Sequence, residues 1–145
     1  MIDLTQFWKD NPDYARNPRK EYGIYVITYQ PLAPNALQQD GNFVTGQDAD
    51  FIVTSMYGSQ TTAASQAAYI ITPLVLNMVY TGKNRNITSI KVEWTTVIGT
   101  AANPRIYWPY PIVIPKATQF DVFVDNPQGV GSTVNLSFHG IKVFF

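Results

Sequence analysis

Runs of β-branched and aromatic residues bounded by turn residues recur about every ten to fifteen positions along this chain, and no comparable helical segments separate them. "YGIYVITY" begins at Tyr22, "DADFIVTSMYG" at Asp48 and "YIITPLVLNMVYTG" at Tyr69. In "ITSIKVEWTTVIG", Ile90, Val92 and Trp94 alternate with Lys91, Glu93 and Thr95, the period of a strand with one buried and one wet face. Phe120, Val122 and Val124 follow the same rule, as do Val134, Leu136 and Phe138. "DNPQGVGS" lies between these two runs, which predicts a hairpin with a long loop. "TGKNRN" predicts a second hairpin, with Gly82 and the Asn residues able to take positive φ. "PLAPNALQQDGN" is expected to be loop, and "TTAASQAAYI" is the one short helical candidate within the strand region. About eight strands without alternating helices exclude a parallel sheet. They predict an all-β domain, an antiparallel β-sandwich or jelly roll.

The first twenty-one residues differ in kind. Eight of the twenty charged residues lie between residues 3 and 21, four of each sign. "DLTQFWKD" can form a short helix capped by Asp3 or Thr5, and the two prolines of "NPDYARNPRK" break it. The division expected is an N-terminal arm, residues 1–21, and a β-sandwich domain, residues 22–145. Phe7, Trp8 and Tyr14 give the arm an apolar anchor to bury.

Elsewhere the surface is nearly neutral. Charged residues make up 14% of the chain, against about 25% in an average domain. Their place is taken by 14 Thr, 10 Asn, 9 Gln and 6 Ser. The signs balance in both parts, so nucleic acid is not an expected partner. No run of eighteen apolar residues and no basic start followed by an apolar stretch occurs, so no membrane span and no secretory signal are expected.

Catalysis finds little to stand on. The absence of cysteine excludes disulfides, thiolate metal sites and Cys nucleophiles. Phosphate-loop, GxSxG and HExxH signatures are missing, and His139, the single histidine, lies far in sequence from any paired carboxylates. No catalytic residue, metal ligand or cofactor is assigned. Asp48 and Asp50 fall on one strand face, but two carboxylates alone do not hold a calcium ion. Asn86 and Asn135 match glycosylation triplets of the kind that arise by chance in Asn- and Thr-rich chains. Tyr107, Trp108 and Tyr110 in "RIYWPYP" are candidates for stacking on a sugar ring.

The tail "YPIVIPKATQFDVFVDNPQGVGSTVNLSFHGIKVFF" resembles small virion proteins of tailed bacteriophages: a proline-flanked apolar run, an "IP" step, a strand, an Asn-containing turn and an aromatic end. "GQDADFIVTSM" is similar to a second segment of the same proteins. Together the pieces span residues 46–57 and 109–145. The resemblance implies a non-enzymatic β-sandwich subunit of the virion, of the decoration or minor capsid kind. Its implied partners are other copies of itself and virion proteins such as the major capsid protein. The alternatives are a neck, tail or fibre adaptor, or a carbohydrate-binding jelly roll for host recognition.

On that reading the apolar end "IKVFF" has a use. Alternation should place Ile141, Val143 and Phe145 inward and Phe144 outward, against a neighbour. Phe7, Trp8, Tyr14 and Phe144 are thus the expected contacts with another subunit or the capsid. The arm is expected to leave the sandwich, and removing residues 2–20 to leave it folded.

Overall fold

The computed structural model describes residues 3–62, 75–80, 85–86, 92–93, 105–127, 129 and 131–145, without the side chains of residues 61, 62, 75–77, 80, 85, 86, 92, 93, 105 and 106. Two short helices, α1 (Thr5–Asp10) and α2 (Pro12–Arg16), open the chain. The strands that follow among the described residues are β1 (Lys20–Leu32), β2 (Gln39–Val44), β3 (Ala49–Thr62), β4 (Val75–Tyr80), β5 (Arg85–Asn86), β6 (Val92–Glu93), β7 (Arg105–Ile114), β8 (Gln119–Asp125) and β9 (Ser132–Phe144).

One sheet has the order β1-β9-β3-β7, and the other β2-β8-β4-β5 with β6 also on β4. Every described pairing is antiparallel. The chain passes from sheet to sheet between β1, β2, β3 and β4, and again between β7, β8 and β9. That interleaved order makes the sandwich a jelly roll.

The last two strands correct the sequence reading. They do not form a hairpin: β8 pairs with β2 and β4, whereas β9 pairs with β1 and β3. Alternation says which residues face the core but not which sheet a strand joins. Phe120, Val122 and Val124 enter the core from one sheet, and Val134, Leu136 and Phe138 enter it from the other. Buried Asn126 starts the crossing, its N–H donating to the Ala36 carbonyl at 2.9 Å and its side-chain amide to the Ala33 carbonyl at 3.0 Å.

Two strands lie where sequence reading placed none. β2 takes up the end of the expected loop. β7 contains Pro109 and Pro111, which a central strand would exclude, but among the described residues it lies at a sheet edge, where a missing N–H costs least. Its register jumps from Ser55↔Tyr107 to Val53↔Ile112, so the proline segment bulges out of the ladder. β4 and β5 pair Val79↔Asn86 and Tyr80↔Arg85, as a hairpin over "TGKNRN" requires. Of the helical candidate, Thr61 and Thr62 end β3 and residues 63–70 lie outside the described residues, as does most of 87–99.

An aromatic cluster fills the core. The Phe43 ring lies 4.8 Å from Tyr25, 5.1 Å from Phe138 and 5.3 Å from Phe120. Buried Tyr29 donates its hydroxyl to the Val122 carbonyl, and burial pushes its phenol far above the usual range. The only helices among the described residues are thus those of the arm, and none is long and apolar enough to cross a membrane.

Candidate functional site

β3 carries the unbroken apolar run Phe51, Ile52 and Val53, and all three residues are fully buried. Successive strand residues point to opposite faces, so a sheet with a single core would expose the middle one. Phe51 and Val53 enter the sandwich core; Ile52 instead joins Phe7 and Val143 in a second cluster on the outer face, with Leu4, Trp8, Tyr14, Val113 and Ile141 packed around it. The N-terminal arm makes that second core. Phe7 is 2% exposed, its ring 5.2 Å from Trp8, 5.6 Å from Tyr110 and stacked on Tyr14 at 6.4 Å.

Local chemistry explains the arm's bend. The Asn11 backbone N–H and side-chain amide both donate to the Phe7 carbonyl, at 3.0 and 2.9 Å, closing α1. Pro12 then opens α2 at a position where no N–H is needed. At the other end, the Thr5 N–H donates to the Asp3 carboxylate at 2.9 Å, and hydrogen bonds from Thr5 hold that carboxyl below the usual range.

Polar ties fix the arm to the sheet. Tyr14 donates its hydroxyl to Asp50 at 2.8 Å, and Tyr110 donates to Asp10 at 3.0 Å. The Asn17 amide donates to the Phe144 carbonyl at 2.6 Å, and the Phe144 N–H donates to the Arg19 carbonyl at 3.0 Å. What covers the apolar end of β9 is therefore the chain's own arm. Ile141 and Val143 do share a face, but it is the arm's face rather than the sandwich core. Phe145 remains 59% exposed beside Tyr14, and half-buried Phe144 lies under the Arg19 guanidinium at 5.2 Å. Within the described chain, the four residues expected at a neighbour are thus engaged at home: Phe7 is buried, and Trp8, Tyr14 and Phe144 are half-buried. Instead of lying off the sandwich as expected, the arm packs on the apolar outer face of its own sheet.

The other candidates are dispersed. Trp108 is in the sandwich core, while Tyr107 and Tyr110 are each 46% exposed, so the three rings form no common platform. Alternation along β7 separates Trp108 from Tyr107. His139 is buried on the outer face, with Nδ1 on the Tyr22 hydroxyl and Nε2 3.1 Å from the Ser137 hydroxyl. Asp50 accepts from Tyr14 and, at 2.8 Å, from the Lys116 N–H, and Asp48 is exposed. Asn135 accepts from the Thr28 hydroxyl at 2.8 Å, and the side chain of Asn86 lies outside the described residues. Among the described residues, no three His, Asp or Glu side chains converge as metal ligands would.

No family model matches the chain, and no curated protein matches it. Solved structures similar to it include the NLP core of Drosophila, described in terms of pentamer formation and histone binding, at 7% identity and a TM-score of 0.40 over 86% of this chain and 97% of that one. The capsid structure of Helicobacter pylori bacteriophage KHP30 aligns at 11% identity and 0.38, covering 88% of this chain and 100% of its own. VP17, a capsid protein of bacteriophage P23-77, aligns at 8% identity and 0.37, covering 86% and 98%. With TM-scores below 0.5, none of these defines the fold of this chain, which its own strand pairing does.

Away from the arm, the residues that sequence reading missed are apolar and exposed: Tyr22, Ile24 and Val26 on β1, with Leu37 and Val44 in and before β2. Nearby on the other sheet, Asp40 faces buried Asp121. Partial desolvation, and then the charge of Asp121 and a hydrogen bond to it, push the Asp40 carboxyl above its ordinary value. A raised folded-state value means the folded chain binds the proton more tightly than the unfolded one. The associated stability is complete below about pH 4 and is lost as pH rises through the folded-state value. Asp40→Asn is expected to raise the melting temperature at pH 7 by a few degrees at most and to flatten its rise on acidification. An unchanged melting profile across pH 4–7 would remove the coupling.

Proposed function

We propose that the chain is a non-enzymatic structural protein of a virion, a self-associating jelly-roll subunit attached to the capsid as a decoration, cement or minor capsid protein. The observation that carries this reading is the apolar surface left over once both cores are closed. Tyr22 (66% exposed), Ile24, Val26, Leu37, Val44, Tyr107 and Phe145 stay exposed on a chain with 14% charged residues. A low-charge surface with apolar side chains is that of a protein whose burial is completed by partners. The likeness of the tail to small virion proteins of tailed bacteriophages supplies the setting. A glycan-binding role has no comparable support, since Trp108 is spent on the core.

Sedimentation velocity at micromolar concentration, alone and with purified capsids, tests the reading. A stable closed oligomer, or co-sedimentation with capsids, is expected. A clean monomer that leaves the capsids bare would contradict it.

A further inference from the structure

β1 is thirteen residues long and, among the described residues, pairs on one side only, with β9. Edge strands usually carry devices against pairing, such as proline, inward-pointing charge, bulges or short length. Here those devices are confined to the ends. Lys20 and Glu21 open the strand, and Pro31 and the register shift between Tyr29 and Leu32 close it. Between them "YGIYVIT", Tyr22–Thr28, has no charge and no proline. Ile27 faces the core with Tyr25 against it, while Tyr22, Ile24 and Val26 are 66, 46 and 54% exposed on the other face. The β9 neighbours on that face are Ile141, opposite Tyr22, then His139 and Ser137, which are hydrogen-bonded to Tyr22 or to each other.

We infer that this edge pairs with the same edge of a second copy, antiparallel about a two-fold axis at Ile24. Register selects the axis. Centred on Ile24, Ile24 opposes itself and Tyr22 opposes Val26 of the second copy, so all three exposed side chains meet apolar ones. A shift of one residue sets Tyr22 against Thr28 or Val26 against Lys20, and a shift of two sets Ile24 against Thr28 or Lys20. In the chosen register Lys20 and Glu21 fall opposite Thr28 and Ile27, so no like charges meet, as a surface facing its own copy requires. The three side chains expose on the order of 300 Å² per copy, the size of the largest apolar patch on an ordinary monomer. Doubled, and with both strand edges added, this comes to roughly 1,000 Å², the threshold for a specific interface. The two four-stranded sheets would become one of eight strands.

This deepens the subunit reading and rests on it for its purpose, although the pairing itself belongs to the isolated chain. Because the chain has no cysteine, Ile24→Cys tests the axis directly. Opposed residues in an antiparallel pair have Cα atoms about 4.5–5.5 Å apart, within disulfide reach. Mild oxidation should convert most of the Ile24→Cys protein to a covalent dimer and leave Thr28→Cys, which opposes Lys20, monomeric. Ile24→Lys should keep the circular dichroism of the wild type and weaken self-association about tenfold or more in sedimentation. No cross-linking of Ile24→Cys, equal cross-linking of both variants, or unchanged association of Ile24→Lys would each overturn the inference. An oligomer with no cross-link at residue 24 refutes the edge and spares the subunit reading. A cross-linked dimer that never enters particles does the reverse.

Discussion

Gly140→Ala is expected to cost more than about 3 kcal/mol and to leave little soluble protein. Gly140 lies in β9, the strand flanked by β1 and β3, opposite Gly23 on one side and Val53 on the other. A Cβ there would stand 2.0 Å from the Ile52 carbonyl oxygen and 2.8 Å from its carbon. Both are backbone atoms of a strand held by β7 and β9 together, so no rotamer change relieves the clash. The crowding lies next to the register shift of β3 between Val53 and Ser55. Gly23 supplies the control within the same row. The nearest atoms to a Cβ at Gly23 would be those of the Lys142 side chain, from 2.8 Å, and that chain can swing away at the cost of its place 4.8 Å over the Tyr25 ring. Gly23→Ala should therefore lose about 1 kcal/mol or less. Urea denaturation of both variants checks the contrast. A Gly140→Ala protein within about 1 kcal/mol of wild type would show that β3 and β9 are less closely apposed than described.

Phe7→Ala should release the arm. Truncating a buried Phe costs about 3–5 kcal/mol where the surroundings cannot relax. Here the arm can undock, which limits the loss to its docking free energy, so a fall of about 2–4 kcal/mol is expected. Trypsin reports the event, since Arg16, Arg19 and Lys20 should be cut faster while the β signal in circular dichroism persists. Removing residues 2–20 should do more. It would bare Ile52, Val113, Ile141 and Val143 together, and the truncated chain is expected to melt lower and aggregate rather than persist as an independent sandwich. A Phe7→Ala protein with wild-type stability and protease resistance would show that the second core contributes nothing.

Much of the sheet structure was legible because alternation is a local property. Phe120, Val122 and Val124, and likewise Val134, Leu136 and Phe138, declare their inward face in any window that contains them. Sheet membership is not local, so the separation of β8 from β9 left no trace in either run. β7 was obscured by Pro109 and Pro111, which signal loop unless the edge position is already known. The arm's aromatic anchor was visible in Phe7, Trp8 and Tyr14, but not its target. One signal for that target was present: Phe51-Ile52-Val53 has no polar residue for an outer face, and a strand buried on both sides needs a second cover. Tyr22, Ile24 and Val26 could not be sorted into buried and exposed by composition alone, because both faces of "YGIYVITY" are apolar.

The claim that this chain is a virion subunit is tested most directly by quantitative mass spectrometry of gradient-purified particles, produced by cells carrying the chain in its native genome. The chain is expected to migrate with the particles, resist a salt wash, and occur at a copy number that is a simple multiple of the particle's symmetry. A chain found only in the particle-free fraction, or at a few copies that the wash removes, would contradict it.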